Sequence, residues 1–242
     1  MSSGLLWTSL YYHKYYHHYN YNIVIPVIIN NFNRLTTTKK LADDLYKLGY
    51  TDIHILDNKS SYPPLLEWYN ECPYKVERLD GNLGQLAVYN SGYINKFQGW
   101  VAYSDSDIEL NSSTPEGFIE KMVRVAEKYN KIKAGLALRV DDIPDTTYGK
   151  YVKWLESRYW KQELEPEVYN AHVDTTFSVI QVGQPFTYEA VRLAGNLTAR
   201  HVPWYLDYEH LDQEEVYILQ HSSSEFSTTK RFVDSLSLQK TN

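Results

Sequence analysis

Asp105 and Asp107 stand one serine apart, directly after a short apolar run from Trp100 to Tyr103. Such a run reads as a buried strand. A bend at its end lets both carboxylates aim at one point. Two negative charges held that close repel each other, and a divalent cation between them relieves the repulsion. A strand that carries hard oxygen ligands to the edge of a sheet suggests a metal–phosphate site.

The bulk composition makes such a device necessary for any anionic ligand. The 242 residues carry a formal net charge of −6, and the basic residues are scattered rather than gathered into a stripe. That argues against nucleic acid as a partner. An acidic chain needs a metal ion or helix N-termini to hold an anion. With 43% hydrophobic residues the chain can bury the core of one generous α/β domain. The single cysteine, Cys72, rules out an intramolecular disulfide and a cysteine-based zinc site, and points to a reducing compartment. No apolar run approaches the ~20 residues a membrane helix requires. No basic region followed by an apolar stretch opens the chain. The expectation is a cytoplasmic protein with no integral membrane segment. Aromatic residues, mostly tyrosine, make up 15% of the chain, and their flat faces and hydroxyls suit carbohydrate.

The elements that would position the acidic pair follow from periodicity. Residues 1–21 form a Tyr- and His-rich arm with no helical or strand period. Ile23–Ile29 is a β-branched run and reads as the first strand. Thr36 or Thr37 is placed to cap a helix over Lys39–Leu48, ended by Gly49. Asp52–Leu56 alternates as a strand, Pro63-Pro64 opens a helix, and Lys75–Leu79 is a short strand. A helix is predicted over Gln85–Phe97, before the strand that ends in the acidic pair. Pro115 opens a further helix. Ala134–Val140 reads as a strand, Tyr148–Gln162 as a helix, Val173–Gln181 as β-rich, Tyr188–Pro203 as mixed, and Asp212–Gln220 as a last short helix. The domain is expected to span 22–220, with a Ser/Thr-rich tail over 221–242. Strands alternating with helices in the first half predict a mostly parallel sheet flanked by helices. Ligands of such sheets sit at the carboxyl ends of the strands.

Several motifs in this order resemble glycosyltransferases of the GT-A fold, family-2-like, over roughly Ile23 to Tyr208. Ile25-Pro26-Val27 with Asn33-Arg34 resembles the opening nucleotide-binding element. Asp57-Asn58 resembles the acidic position that contacts the nucleoside. Asn82-Leu83-Gly84 through Asn90-Ser91-Gly92 is similar to the family's Asn-x-Gly-x-x-x-Ala-Arg-Asn-x-Gly pattern, with Val88 and Tyr89 replacing Ala-Arg. Asp105-Ser106-Asp107 fills the Asp-x-Asp position. The resemblance implies a single GT-A, Rossmann-like domain. The implied activity is metal-dependent transfer of a sugar from a nucleotide-diphosphate sugar, a UDP-sugar by commonest expectation, to a glycan or other hydroxyl-bearing acceptor with inversion.

The resemblance also implies roles. Asp107 would ligate Mn²⁺ or Mg²⁺, with Asp105 contacting the ribose or a metal-bound water, and His201 would be the third ligand. Pro26, Asn33, Arg34, Asp57, Asn82, Gly84, Asp105, Ser106 and Arg200 would hold the nucleotide sugar. Inversion needs a general base, for which Asp174 is the first candidate and Asp142 the alternative. Trp204 and Tyr205, flanking His201, are the acceptor candidates. Trp154, Tyr159 and Trp160 form a second aromatic group, read first as a packing face, with a stacking platform for the acceptor sugar as the alternative. Two other classes stay open: a nucleotidyltransferase acting on a sugar phosphate, and a non-catalytic carbohydrate-binding domain. The loop after the first strand, Asn30-Asn31-Phe32-Asn33-Arg34, lacks the glycine-rich character of the former.

Overall fold

The computed structural model describes residues 24–223 and Lys230. The aromatic arm 1–21, and the tail beyond Ser223 apart from Lys230, lie outside the described residues.

The first half alternates strand and helix: β1 (Val27–Asn31), α1 (Thr36–Lys47), β2 (Ile53–Asp57), α2 (Pro63–Tyr69), β3 (Lys75–Arg78), α3 (Ala87–Asn90), β4 (Trp100–Asp105) and β5 (Ile108–Leu110). The second half holds α4 (Phe118–Lys128), β6 (Lys133–Leu138), α5 (Thr147–Glu156), β7 (Glu163–Glu165), β8 (Val168–His172), β9 (Ser178–Gln181), β10 (Glu189–His201) and α6 (Gln213–His221). All ten strands join one sheet in the order β3-β2-β1-β4-β9-β6-β10-β8-β7, with β5 paired to β10. Pairing is parallel from β3 through β4 and between β6 and β10, and antiparallel elsewhere.

β1 is apolar without alternation because both of its faces are covered. Val27 and Ile29 pack with Leu41, Ala42 and Leu45 of α1 and with Phe118, Ile119 and Met122 of α4. Ile28 faces the other layer, against Ala87, Val88, Tyr93 and Ile94. Each such aliphatic side chain, fully buried, contributes about 1.5–3 kcal/mol. The site-bearing strands therefore rest on a two-sided core and stay rigid at their carboxyl ends.

Three expectations change. The predicted helix over 85–97 is broken into a 3₁₀ turn (Gly84–Leu86), the four-residue α3, and a second 3₁₀ turn (Tyr93–Lys96). Gly92 lies between the last two at φ +72, a left-handed conformation in which the helix cannot continue. The mixed region 188–203 is instead one long strand, β10, whose pairing with β6 shifts register between Leu193 and Thr198. That shift disrupts the alternation that would have identified it as a strand. Neither Thr36 nor Thr37 caps α1 from within: the residue preceding the helix is Leu35, with no side-chain cap. Glu214 of α6 does so, accepting from Leu35 N and Thr36 N at 3.0 and 3.1 Å.

Candidate active site

The strand order 3-2-1-4 makes the boundary between β1 and β4 a topological switch point. In open α/β sheets a crevice forms there, beyond the carboxyl ends of the strands. Asn30 of β1 pairs in register with Asp105 of β4 at that boundary. A cavity of about 510 Å³ opens over it. Of the residues expected to act, Arg34, Asn82, Gly84, Asp105, Ser106, Asp107, Asp174, His201 and Trp204 line this cavity together.

The acidic pair sits on a tight turn between β4 and β5. β5 pairs antiparallel with the end of β10, setting Ile108 opposite His201. That pairing brings His201 Nε2 to 3.6 Å from Asp107 Oδ1. Arg34 Nε approaches Asp107 Oδ2 at the same distance. Asp107 Oδ1 and His201 Nδ1 are both buried without a hydrogen-bond partner.

Asp105 is held differently. Its backbone N–H donates to Thr175 O at 3.1 Å, and its Oδ2 accepts from the Thr175 hydroxyl at 2.7 Å. Burial pushes its carboxyl up to about 8, helped by the neighbouring charges of Asp107 and Asp174 and opposed by the bonds from Thr175 and Asn30. The two carboxylates thus have separate environments, Asp105 buried against Thr175 and Asp107 facing an arginine and an imidazole.

Asp174 follows β8 on an irregular segment, not on the predicted strand, and is exposed. Its Oδ1 accepts from the N–H of Thr175 at 2.9 Å. Beneath it lies Lys133, 2% exposed, whose ammonium donates to the carbonyls of Val173, Asp174 and Thr187 at 2.8, 2.9 and 3.2 Å. Burial pulls this lysine down to about 8 against the attraction of Asp174 and Asp105.

The floor is polar and ordered. Asn30 Oδ1 accepts from Asn58 Nδ2 at 2.5 Å, and Asn30 Nδ2 donates to Gly84 O at 3.3 Å. Gly84 takes φ +72, so its backbone turns toward Asn30 without steric cost. The far wall is α6. Glu215 pairs with the buried Arg34 at 2.5 Å, and Ile218 lines the cavity. Burial works against the Arg34 charge, but Asp107 and Glu215 outweigh it and raise its pKa.

Six expected residues lie elsewhere. Pro26 precedes β1, at the opposite end of the strand, where its carbonyl accepts from Ala102 N. Asn33, fully buried at φ +59, ties loops together through Ser61 N and Tyr62 N. Asp57 is fully buried and bonds Tyr69 OH, Ser60 N and Arg78 Nε. Side chains alternate along a strand, so Asn30 faces the cavity while Asn31 and its register partner Asp57 both bond Tyr69 on the other side. Asn58, not Asp57, lines the cavity. Arg200, Asp142 and Tyr205 bond one another outside it: Arg200 grips Asp142, whose other oxygen accepts from Tyr205 OH at 2.8 Å. Residues the sequence did not single out, Asn30, Glu156, Tyr188 and Arg192, line the cavity, as do Tyr159 and His172.

The donor set suits a hard or borderline dication: carboxylate oxygens from Asp105 and Asp107 and an imidazole nitrogen from His201. Among the described residues, no three His, Cys, Asp or Glu side chains are grouped closely enough to hold a metal ion by themselves. Mg²⁺-type sites ordinarily take one or two carboxylates and complete the shell with water and substrate phosphate. The unpartnered Asp107 Oδ1 fits that pattern.

No family model matches the chain. No curated protein matches it either. Among solved structures it is similar to the mannosyltransferase PcManGT from Pyrobaculum calidifontis in complex with GDP-Man and Mn²⁺, at 12% identity and a TM-score of 0.48, over 88% of this chain and 67% of that one. It is also similar to S. aureus TarS 1-349, at 12% identity and a TM-score of 0.39, over 65% of this chain and 47% of that one.

Proposed function

We propose that this protein is a metal-dependent glycosyltransferase that moves a sugar from a nucleoside-diphosphate sugar, a UDP-sugar in first place, to an acceptor hydroxyl with inversion. The observation that carries the reading is the convergence of Asp105, Asp107, His201 and Asp174 on one cavity at the β1–β4 switch point. A bound Mn²⁺ or Mg²⁺ would supply Lewis-acid stabilisation of the negative charge that develops on the departing diphosphate.

The chain's own residues account for the rest. Asp107 and His201 would hold the cation, with Asp105 beside them. Arg34, kept charged by Asp107 and Glu215, adds a fixed positive group to the same wall. Asn30, Asn58 and Asn82 offer neutral polar groups for the nucleoside side of the crevice. Asp174 Oδ1 or Oδ2 takes the proton of the acceptor hydroxyl as the new glycosidic bond forms. The Lys133 contacts to the carbonyls around it fix that carboxylate in place. Trp204, whose ring lies 4.9 Å from that of His201, closes the acceptor side.

The test is release of nucleoside diphosphate from a panel of UDP- and GDP-sugars with Mn²⁺, with and without acceptor. Transfer or slow hydrolysis of one donor, abolished by Asp107→Asn, supports the reading. Turnover of nucleoside triphosphates instead would assign a nucleotidyltransferase. Neither activity, with no manganese-assisted nucleotide binding, would overturn an enzymatic role.

A further inference from the structure

We propose that His172 and Tyr188, anchored through Tyr159, form a stacking floor for a sugar chain, so that the acceptor is an oligosaccharide of at least two units. The inference rests on the glycosyltransferase reading for its place in the reaction, but the floor itself stands on separate geometry.

The three rings form a row. Tyr159 and His172 have centroids 6.4 Å apart at 36°, and His172 and Tyr188 are 6.4 Å apart at 31°. Both contacts are tilted, with no ring closed face to face on its neighbour. Past Tyr188 the row turns a corner, where Phe186 meets it edge-on at 4.8 Å and 83°. All three members of the row line the cavity. Tyr188 is 47% exposed, so its ring is open to a ligand among the described residues.

The row is built, not incidental. Arg192, 3% exposed on β10, donates from Nε to His172 O and from Nη1 to Glu156, both at 2.7 Å. Its guanidinium lies over the Tyr159 ring at 4.2 Å. One buried cation therefore fixes two members of the row. The third is tied to the base: the carbonyl of Tyr188 accepts from Val173 N at 2.9 Å, one residue before Asp174. A ligand lying on His172 and Tyr188 is delivered to the Asp174 carboxylate.

The chemistry of the floor selects the ligand class. A pyranose ring has C–H faces that lie flat on aromatic faces and a rim of hydroxyls that needs polar partners. The row supplies both, with an imidazole and a phenol at its edges and the exposed Asp174 carboxylate on the same cavity. A hydrocarbon tail in the same place would desolvate that carboxylate without compensating it.

The experiment is calorimetry of the full chain, with UDP or GDP and Mn²⁺ present, against linear β-1,4-glucan, α-1,4-glucan, mannan and β-1,4-linked N-acetylglucosamine series of one to six units. One series should bind about tenfold tighter at three units than at one. Tyr188→Ala should lose about that factor, and Tyr188→Trp should restore it. Tyr188 is exposed enough that its truncation leaves the fold intact, which circular dichroism checks. Affinity that does not depend on chain length, equal binding by Tyr188→Ala, or affinity that instead grows with the alkyl length of alkyl glycosides each overturns the floor. The nucleotide titration in the same cell separates the two readings. Nucleotide uptake with no oligosaccharide response sinks the floor alone, whereas oligosaccharide binding without nucleotide uptake sinks the transferase reading and leaves the floor.

Discussion

His201 Nε2 faces Asp107 Oδ1 across 3.6 Å, too far for a hydrogen bond and close enough for both to reach one cation. Register makes this contact: β5 and β10 pair so that Ile108 opposes His201. Asp107 Oδ1 and the other imidazole nitrogen, His201 Nδ1, are buried without a hydrogen-bond partner. Asp107→Asn should therefore weaken manganese-assisted nucleotide binding by at least about 10- to 100-fold, the range for losing a mere outer-shell partner of a metal. Titration calorimetry with and without Mn²⁺ measures it. Equal nucleotide affinity in both proteins would refute the cation site.

Asp105 gives a pH signature in the metal-free protein. Its native pKa is pushed up to about 8, whereas an unfolded carboxylate titrates near about 4. The native state then binds the extra proton between those values. This contribution to stability is complete below about pH 4 and is lost as pH rises through about 8. Thermal midpoints in chelator from pH 5 to 9 should fall more steeply for the wild type than for Asp105→Asn. Parallel slopes would refute the assignment.

Lys133→Met removes the donor shared by three carbonyls and leaves them buried. The expected cost is on the order of 3 kcal/mol of stability. In the protein that remains folded, kcat should fall at least tenfold while the nucleotide Kd stays within about threefold, because the Asp174 segment loosens and the Asp107 wall does not. Lys133→Arg should recover part of the rate.

Glu215→Ala leaves the Arg34 guanidinium buried beside Asp107 with half of its compensation gone. Breaking one side of a buried pair costs about 3–5 kcal/mol. Denaturant unfolding should show that loss, and Glu215→Gln should show less of it. A change under about 1 kcal/mol in Glu215→Ala would mean that α6 is not seated on the site.

Arg200→Ala tests the placement of a residue the sequence singled out for the donor. The side chain is 42% exposed and is engaged with Asp142 outside the cavity. Stability should change by less than about 1 kcal/mol, and the donor KM by less than about twofold. A large rise in KM would return Arg200 to the donor site.

The strand–helix alternation of the first half was legible because β1, β2 and β4 are short, mostly apolar runs ending in polar residues. Asp105, Asp107 and His201, singled out from residue type and order, are brought to one cavity by the sheet. Face was the information missing from a one-dimensional reading. Asp57 and Asn58 are adjacent and equally polar, and only pairing with β1 turns the first inward and the second toward the cavity. Arg200 and His201 divide in the same way on β10. The floor residues were hidden for another reason: His172 and Tyr188 meet because β8 and β10 pair with Glu189 opposite His172, a register set by the whole sheet. Glu214 and Glu215 read as ordinary first-turn acids of α6, and their partners lie far back in the chain.

That last separation governs when the site can exist. Glu214 satisfies the first turn of α1 from a position 178 residues downstream of Thr36. During synthesis the amino-terminal strands emerge first, but a domain folds as a unit. The opening loop with Arg34 waits, uncapped and unbalanced, for a helix translated near the close of the domain. A nascent or truncated chain lacking α6 would leave the first turn of α1 uncapped and Arg34 without Glu215, so the pocket is completed only once that last helix is in place.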